Sequence, residues 1–118
     1  MELAAEMEVP MVRTFGGGFK QGAASEIEAV EYVAELLAKV SSQARQLGVS
    51  VLLETHDEFS HSAMVRDVLG LISIPEVGSL WDVHHPYRMG ESVEETYLNL
   101  APSLQHVHLK DALRNGGD

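Results

Sequence analysis

Short apolar runs alternate with amphipathic stretches along this chain, the rhythm of βα units that feed a parallel sheet. The strongest periodicity lies at about residues 25–47. Ile27, Val30, Val33, Leu37 and Val40 recur there at three and four, which predicts a helix with one buried face. Ser25 and Glu28 make a capping box at its start, and Gly48 stands where a left-handed C-cap belongs. Val49 to Glu54 is a short, nearly continuous apolar run, as expected of a strand buried on both faces. A helix is expected at about 62–72, with Ser60 or Ser62 as its cap, and a strand from Val77 to Val83 behind Pro75. A second capping box, Ser92 with Glu95, opens a helix to about Leu100; Pro102 ends it, and a strand follows from Leu104 to Leu109. At the other end, residues 2–8 read as the tail of a helix that Pro10 stops, and Met11 to Phe15 as a strand running into Gly16-Gly17-Gly18. The expected class is α/β, with four strands and four helical segments in one domain over residues 1–118.

Composition narrows the partners. The chain has 118 residues, 45% of them apolar, enough for an ordinary core. Eighteen acidic against eight basic residues give a formal charge of -10, a field that repels nucleic acid and anionic membranes. No cysteine is present, so disulfides and thiolate metal sites are excluded; a metal would need imidazole and carboxylate. The opening Met-Glu-Leu-Ala-Ala-Glu-Met-Glu is acidic where a targeting segment is basic, and no apolar run approaches a membrane span, so the cytoplasm is the expected location.

Polar residues gather at or just past the end of each expected strand. Arg13 comes first, then Glu54 and His56, then Asp82, His84 and His85, then His106, His108 and Lys110. In a parallel barrel the strand C-termini open on one face, where active sites are built. A core would place apolar groups there, because burying an unpaired charge is costly. Side chains two apart share a face of a strand, which puts Glu54 with His56 and His106 with His108. Singly, each residue has a plainer reading. His61 is expected on the surface, and Trp81 in the core by alternation from Asp82; with Phe59, Trp81 is otherwise a candidate apolar wall. The glycine run is a turn rather than a phosphate cradle, since no GKS or GKT follows.

Four segments carry a family likeness: Val12-Arg13-Thr14-Phe15-Gly16-Gly17, Leu52-Leu53-Glu54-Thr55-His56-Asp57, Leu80-Trp81-Asp82-Val83-His84-His85-Pro86 and His106-Val107-His108-Leu109-Lys110-Asp111. In order and spacing they resemble the xylose-isomerase-like sugar isomerase/epimerase family. The resemblance implies a (β/α)8 TIM barrel whose fourth to seventh strands are present. It implies a divalent ion (Zn, Mn, Co or Mg) held by Glu54, Asp82 and His108, with Glu54 also the candidate base and Lys110 stabilising an oxyanion. It places His85 at the substrate or at a second metal, and His56, Arg88, Glu91 and Arg13 around the substrate. The plainer reading of Lys110 is a lysine paired with Asp111.

The implied reaction is isomerisation or epimerisation of a small sugar, cyclitol or keto compound, in which a carboxylate moves a proton through an enediolate. The alternatives are a metal-dependent hydrolase of abasic DNA, which the acidic charge disfavours, and a non-catalytic barrel piece. A full barrel takes about 250 residues. The family's eighth-strand Glu is not among these 118, and the tail Arg114 to Asp118 reads like a loop cut short. A fragment of a longer enzyme is therefore expected, ahead of a half-barrel that dimerises. Alone it would be a poor isomerase, prone to self-association through exposed sheet edges.

Overall fold

Parallel pairing of four strands follows from the four apolar runs and the helices between them. A computed structural model describes residues 1–17 and 25–112. Its order is α1 (Glu2–Glu6), β1 (Met11–Thr14), α2 (Glu26–Leu47), β2 (Ser50–Glu54), α3 (Ser62–Ile72), β3 (Val77–Asp82), α4 (His84–Arg88), α5 (Val93–Leu100) and β4 (Leu104–His108). The sheet order is β1-β2-β3-β4, all parallel, so β1 and β4 each keep one free side among the described residues. Gly18 and the tail Arg114 to Asp118 lie outside the described residues. No helix among the described residues is long and apolar enough to cross a membrane.

The helix ends obey the chemistry written at them. The Ser25 hydroxyl accepts from the Glu28 N–H, the Ser92 hydroxyl from that of Glu95, and Gly48 turns left-handed at φ 66° to close α2. The buried face of α2 is Ala29, Val30, Val33, Ala34, Leu37 and Ala44. Ile27, expected on that face, is instead 71% exposed. Each step of three falls about 60° short of a full turn, so the run from Ile27 through Val30 to Val33 drifts off one stripe. The expected serine cap of α3 is also replaced. His61 holds the cap position without a side-chain bond, and the Glu91 carboxylate, from across the connection after β3, accepts the Ser62 N–H at 2.8 Å. The short helix α4, unmarked by any apolar period, fills that connection; Pro86 fits its first turn, where N–H groups lack helical partners.

One core forms between α2, α3 and the outer face of the sheet, from residues such as Val33, Leu37, Val51, Leu53, Val65, Val68 and Val77. Trp81 packs at its margin, as alternation predicts, whereas Phe59 lies inside it and forms no wall. Gly16 exists in that packing for a steric reason: a Cβ there would stand 2.4 Å from the Phe59 ring. On the opposite, inner face, Met11, Arg13, Leu52, Leu80, His106 and His108 line a cavity of about 190 Å³.

Register decides what meets at the strand ends. Glu54 is level with Leu80, and Asp82 with His108. Between β3 and β4 the pairing skips, from Ser79 with Leu104 to Leu80 with His106, so Gln105 is an extra residue, a β-bulge. Gly78 permits the close approach: a Cβ on it would sit 2.5 Å from the Gln105 amide nitrogen and 2.8 Å from the Ser103 carbonyl.

Candidate metal centre

Three neighbouring strands end in chemistry. Glu54 is the last residue of β2, Asp82 the last of β3 and His108 the last of β4. One ligand atom from each lies within 4.8 Å of the others. Both carboxylates are almost wholly buried, which is costly for negative charge unless cations answer it. Two side chains do so. Arg13 Nε stands 3.2 Å from Glu54 Oε1, and Lys110 Nζ stands 3.1 Å from Asp82 Oδ2. His108 Nδ1 meets Glu54 Oε2 at 2.9 Å. Lys110 is thus tied to the site through Asp82.

Burial pushes the Asp82 carboxyl upward. The Lys110 hydrogen bond, the His84 backbone N–H and the His85 and Lys110 charges outweigh that and hold it below its ordinary value. Burial also drives the His85 imidazole below its usual value, against the pull of Asp82; Lys110, His56 and Arg88 add to the lowering. His85 Nε2 lies 3.7 Å from Asp82 and 3.5 Å from Lys110 Nζ. His85 is therefore inclined to stay neutral near neutral pH, where it can accept or donate a hydrogen bond.

A row of rings borders this centre. Phe15 stacks on His56 with centroids 4.5 Å apart, His56 meets His85 edge-on at 4.8 Å, and His84 stacks on His85 at 5.8 Å. Arg13 sits 5.2 Å from the Phe15 ring centre, a cation–π distance. His56 Nδ1 is 3.0 Å from Asp57, whose own backbone is left-handed at φ 51°. His106 lies edge-on to His108 at 5.4 Å, and His61 is exposed, as expected.

Two supporting residues were not singled out from the sequence. Phe15 is expected at a strand end and within the first family segment, with no role of its own, though its place beside Arg13 and before the glycines marks the rim. The buried Thr55 hydroxyl accepts from the Asp82 N–H at 3.0 Å and lies 3.2 Å from the Asp82 carbonyl, so it locks β2 to β3 beside both carboxylates. Its only signal was adjacency to Glu54. Glu91 is placed differently from the rest: its carboxylate is spent on Ser62 and Thr96.

The donor set tests well for a divalent ion. It offers two carboxylates and an imidazole, a combination that holds Zn, Mn or Co, and Mg in its oxygen part. Glu54 Oε1 is buried without a hydrogen bond, since Arg13 approaches it at ion-pair range but off the hydrogen-bond line. A family model described as the xylose isomerase-like TIM barrel matches residues 1–118. The chain belongs to that family. Nothing among the curated proteins matches this chain. Among solved structures, this xylose isomerase-like chain is similar to the apo form of 3-keto-D-glucoside 4-epimerase, YcjR, from E. coli. The TM-score is 0.78 at 18% identity, over 93% of this chain and 47% of that one. The match is one of fold. The chain spans about half the length of that structure, and its four parallel strands with helices between them form part of the barrel.

Proposed function

We propose that these residues form the metal-binding half of a sugar isomerase or epimerase active site. The observation that carries this reading is the convergence of Glu54, Asp82 and His108 within 4.8 Å at the C-terminal ends of adjacent parallel strands. The family and the printed activity of the similar structure, a 3-keto-D-glucoside 4-epimerase, support a keto sugar as the substrate class. Held by Glu54, Asp82 and His108, a divalent cation would supply Lewis acidity toward a carbonyl oxygen.

The chain's own groups account for the rest. Glu54 takes the proton from the carbon beside the carbonyl and returns it, with Arg13 Nε paired to its carboxylate at 3.2 Å. Lys110 places an ammonium at the rim of the same site and stabilises negative charge developing on oxygen. His56, His85, Arg88 and Arg13 donate or accept hydrogen bonds at sugar hydroxyls, while the ring of Phe15 covers an apolar face. The acidic charge of the whole chain favours a small neutral sugar over nucleic acid.

Calorimetric titration of the full chain with Mn²⁺ tests the ligand set. Glu54→Gln and His108→Ala are each expected to weaken binding about tenfold or more. Equal binding by the wild type and both variants would overturn the assignment.

A further inference from the structure

Glu91 is a buried carboxylate that the proposed chemistry leaves unused. It lies at the end of the connection from Asp82, and its carboxylate is bound to α3 and α5. Its two oxygens accept from the Ser62 N–H at 2.8 Å, the Ser62 hydroxyl at 2.6 Å and the Thr96 hydroxyl at 2.7 Å, with His61 Nδ1 at 3.6 Å. A carboxylate has about four lone-pair positions, so little capacity remains for a sugar. The network continues outward: Asn99 donates to the Ser62 hydroxyl at 2.8 Å, and Arg66 donates to Asn99 at 2.9 Å.

The segment that Glu91 terminates is the one that carries His85 and Arg88. It is tied at its start, where the His84 N–H donates to Asp82 Oδ1 at 3.0 Å. Within it, the N–H groups of Met89, Gly90 and Glu91 donate back to the carbonyls of His85, Pro86 and Tyr87. Gly90, at φ 94°, turns the chain so that the Glu91 side chain enters the interior. The segment has one short helix, and its apolar anchor is the buried Pro86, since Tyr87 and Met89 are exposed. Its free end is held by the carboxylate.

We propose that Glu91 is a positioning residue: by capping α3 it fixes the far end of the 83–91 segment, and so holds His85 edge-on to His56 and beside Asp82. What His85 and Arg88 then do for a sugar rests on the function proposed above; the tether itself does not. The arrangement reassigns Glu91 from the substrate-contacting role expected of it. It also couples the mouth of the site to the helix layer through Ser62, Asn99 and Arg66.

The experiment is an NMR comparison of the full chain with Glu91→Ala and the milder Glu91→Gln and Thr96→Val, in which amide exchange, histidine ring resonances and Mn²⁺ affinity are read together. In Glu91→Ala and Glu91→Gln, exchange at Met89, Gly90 and residue 91 should rise about tenfold or more, and the His85 ring resonances should lose their ring-current shift from His56. The resonances of His106 and His108, on β4, should hold still, and Mn²⁺ affinity should stay within about twofold of wild type. Thr96→Val, which removes one donor, should show the same pattern at smaller size. Unchanged His85 resonances and exchange would overturn the tether. A loss of Mn²⁺ affinity as large as that of Asp82→Asn would overturn it in favour of a direct ligand role. Because the resonance and exchange readings need no metal, a wild type that fails to bind Mn²⁺ overturns the proposed function while leaving this test decisive.

Discussion

Leu53 and Glu54 are adjacent on β2 and buried to the same degree, yet they face opposite worlds. Leu53 points outward into the packing of α2 and α3, among Val33, Leu37 and Val65. Glu54 points inward, to Arg13 and His108. The outer face removes apolar surface from water and needs no partner of particular shape or charge. The inner face keeps negative charge out of water, and Arg13, Lys110 and Thr55 are arranged to make that tolerable. Burial alone therefore does not separate packing from chemistry in this sheet; what separates them is whether a buried group is answered by carbon or by a cation.

The sharpest test of the contrast sets Leu53→Ala against Asp82→Asn. Truncating Leu53 should cost about 2–5 kcal/mol through lost burial and a cavity, seen as a lower urea midpoint. Asp82→Asn keeps an acceptor for the His84 N–H and relieves one buried charge, so its midpoint should move by no more than about 1 kcal/mol while Mn²⁺ binding falls. If Asp82→Asn unfolds the chain as readily as Leu53→Ala, the carboxylate belongs to the structural side of the comparison.

Gly16 lies where the two regimes touch, under the rim and against Phe59. Gly16→Ala should force the ring to move, at about 1–3 kcal/mol, with a lower thermal midpoint; an unshifted melting curve would mean the loop yields and Phe59 does not.

The smallest expected effect lies far from the site, at Arg45 and Glu76, whose side chains pair at 2.9 Å on the exposed side. Hydrogen bonding to Arg45 holds the Glu76 carboxyl below its ordinary value of 4.5. A lowered carboxylate pKa contributes stability above the unfolded value and loses it as pH falls through the folded one. Wild type should therefore exceed Glu76→Gln slightly at neutral pH and lose that margin below pH about 4.5. Because the pair is exposed, salt should erase most of it. A margin that grows on acidification has the wrong sign for this pair.

Much of the architecture was legible because its determinants are local. Capping boxes at Ser25 and Ser92, the glycine at 48 and the apolar runs of β2 and β3 each announce themselves within a few residues. Glu54, Asp82 and His108 are expected together because the family resemblance puts them at equivalent strand ends, and the sheet brings one side-chain atom of each within 4.8 Å of the others. What the sequence concealed is non-local. The cap of α3 comes from Glu91, 29 residues on, and no pattern within α3 points to it. Ile27 obeyed a spacing of three but not the true helical period. Helix α4 has too few residues to show any period. Phe15 acts through His56, just past the end of β2, and Thr55 through Asp82 on β3, and only the sheet brings these near.

Gln105 holds one more lesson, though it lies outside the candidate metal centre. Counted onward from Ser79 with Leu104 without the skip, Val107 rather than His108 would stand opposite Asp82. The place of His108 is thus stored as a number of residues, not as the identity of any neighbour. It is a phase, and it is as much a part of the site as the imidazole itself. Replacing every side chain on β4 one by one leaves that count intact, whereas a single-codon insertion upstream would present Val107 to the carboxylates.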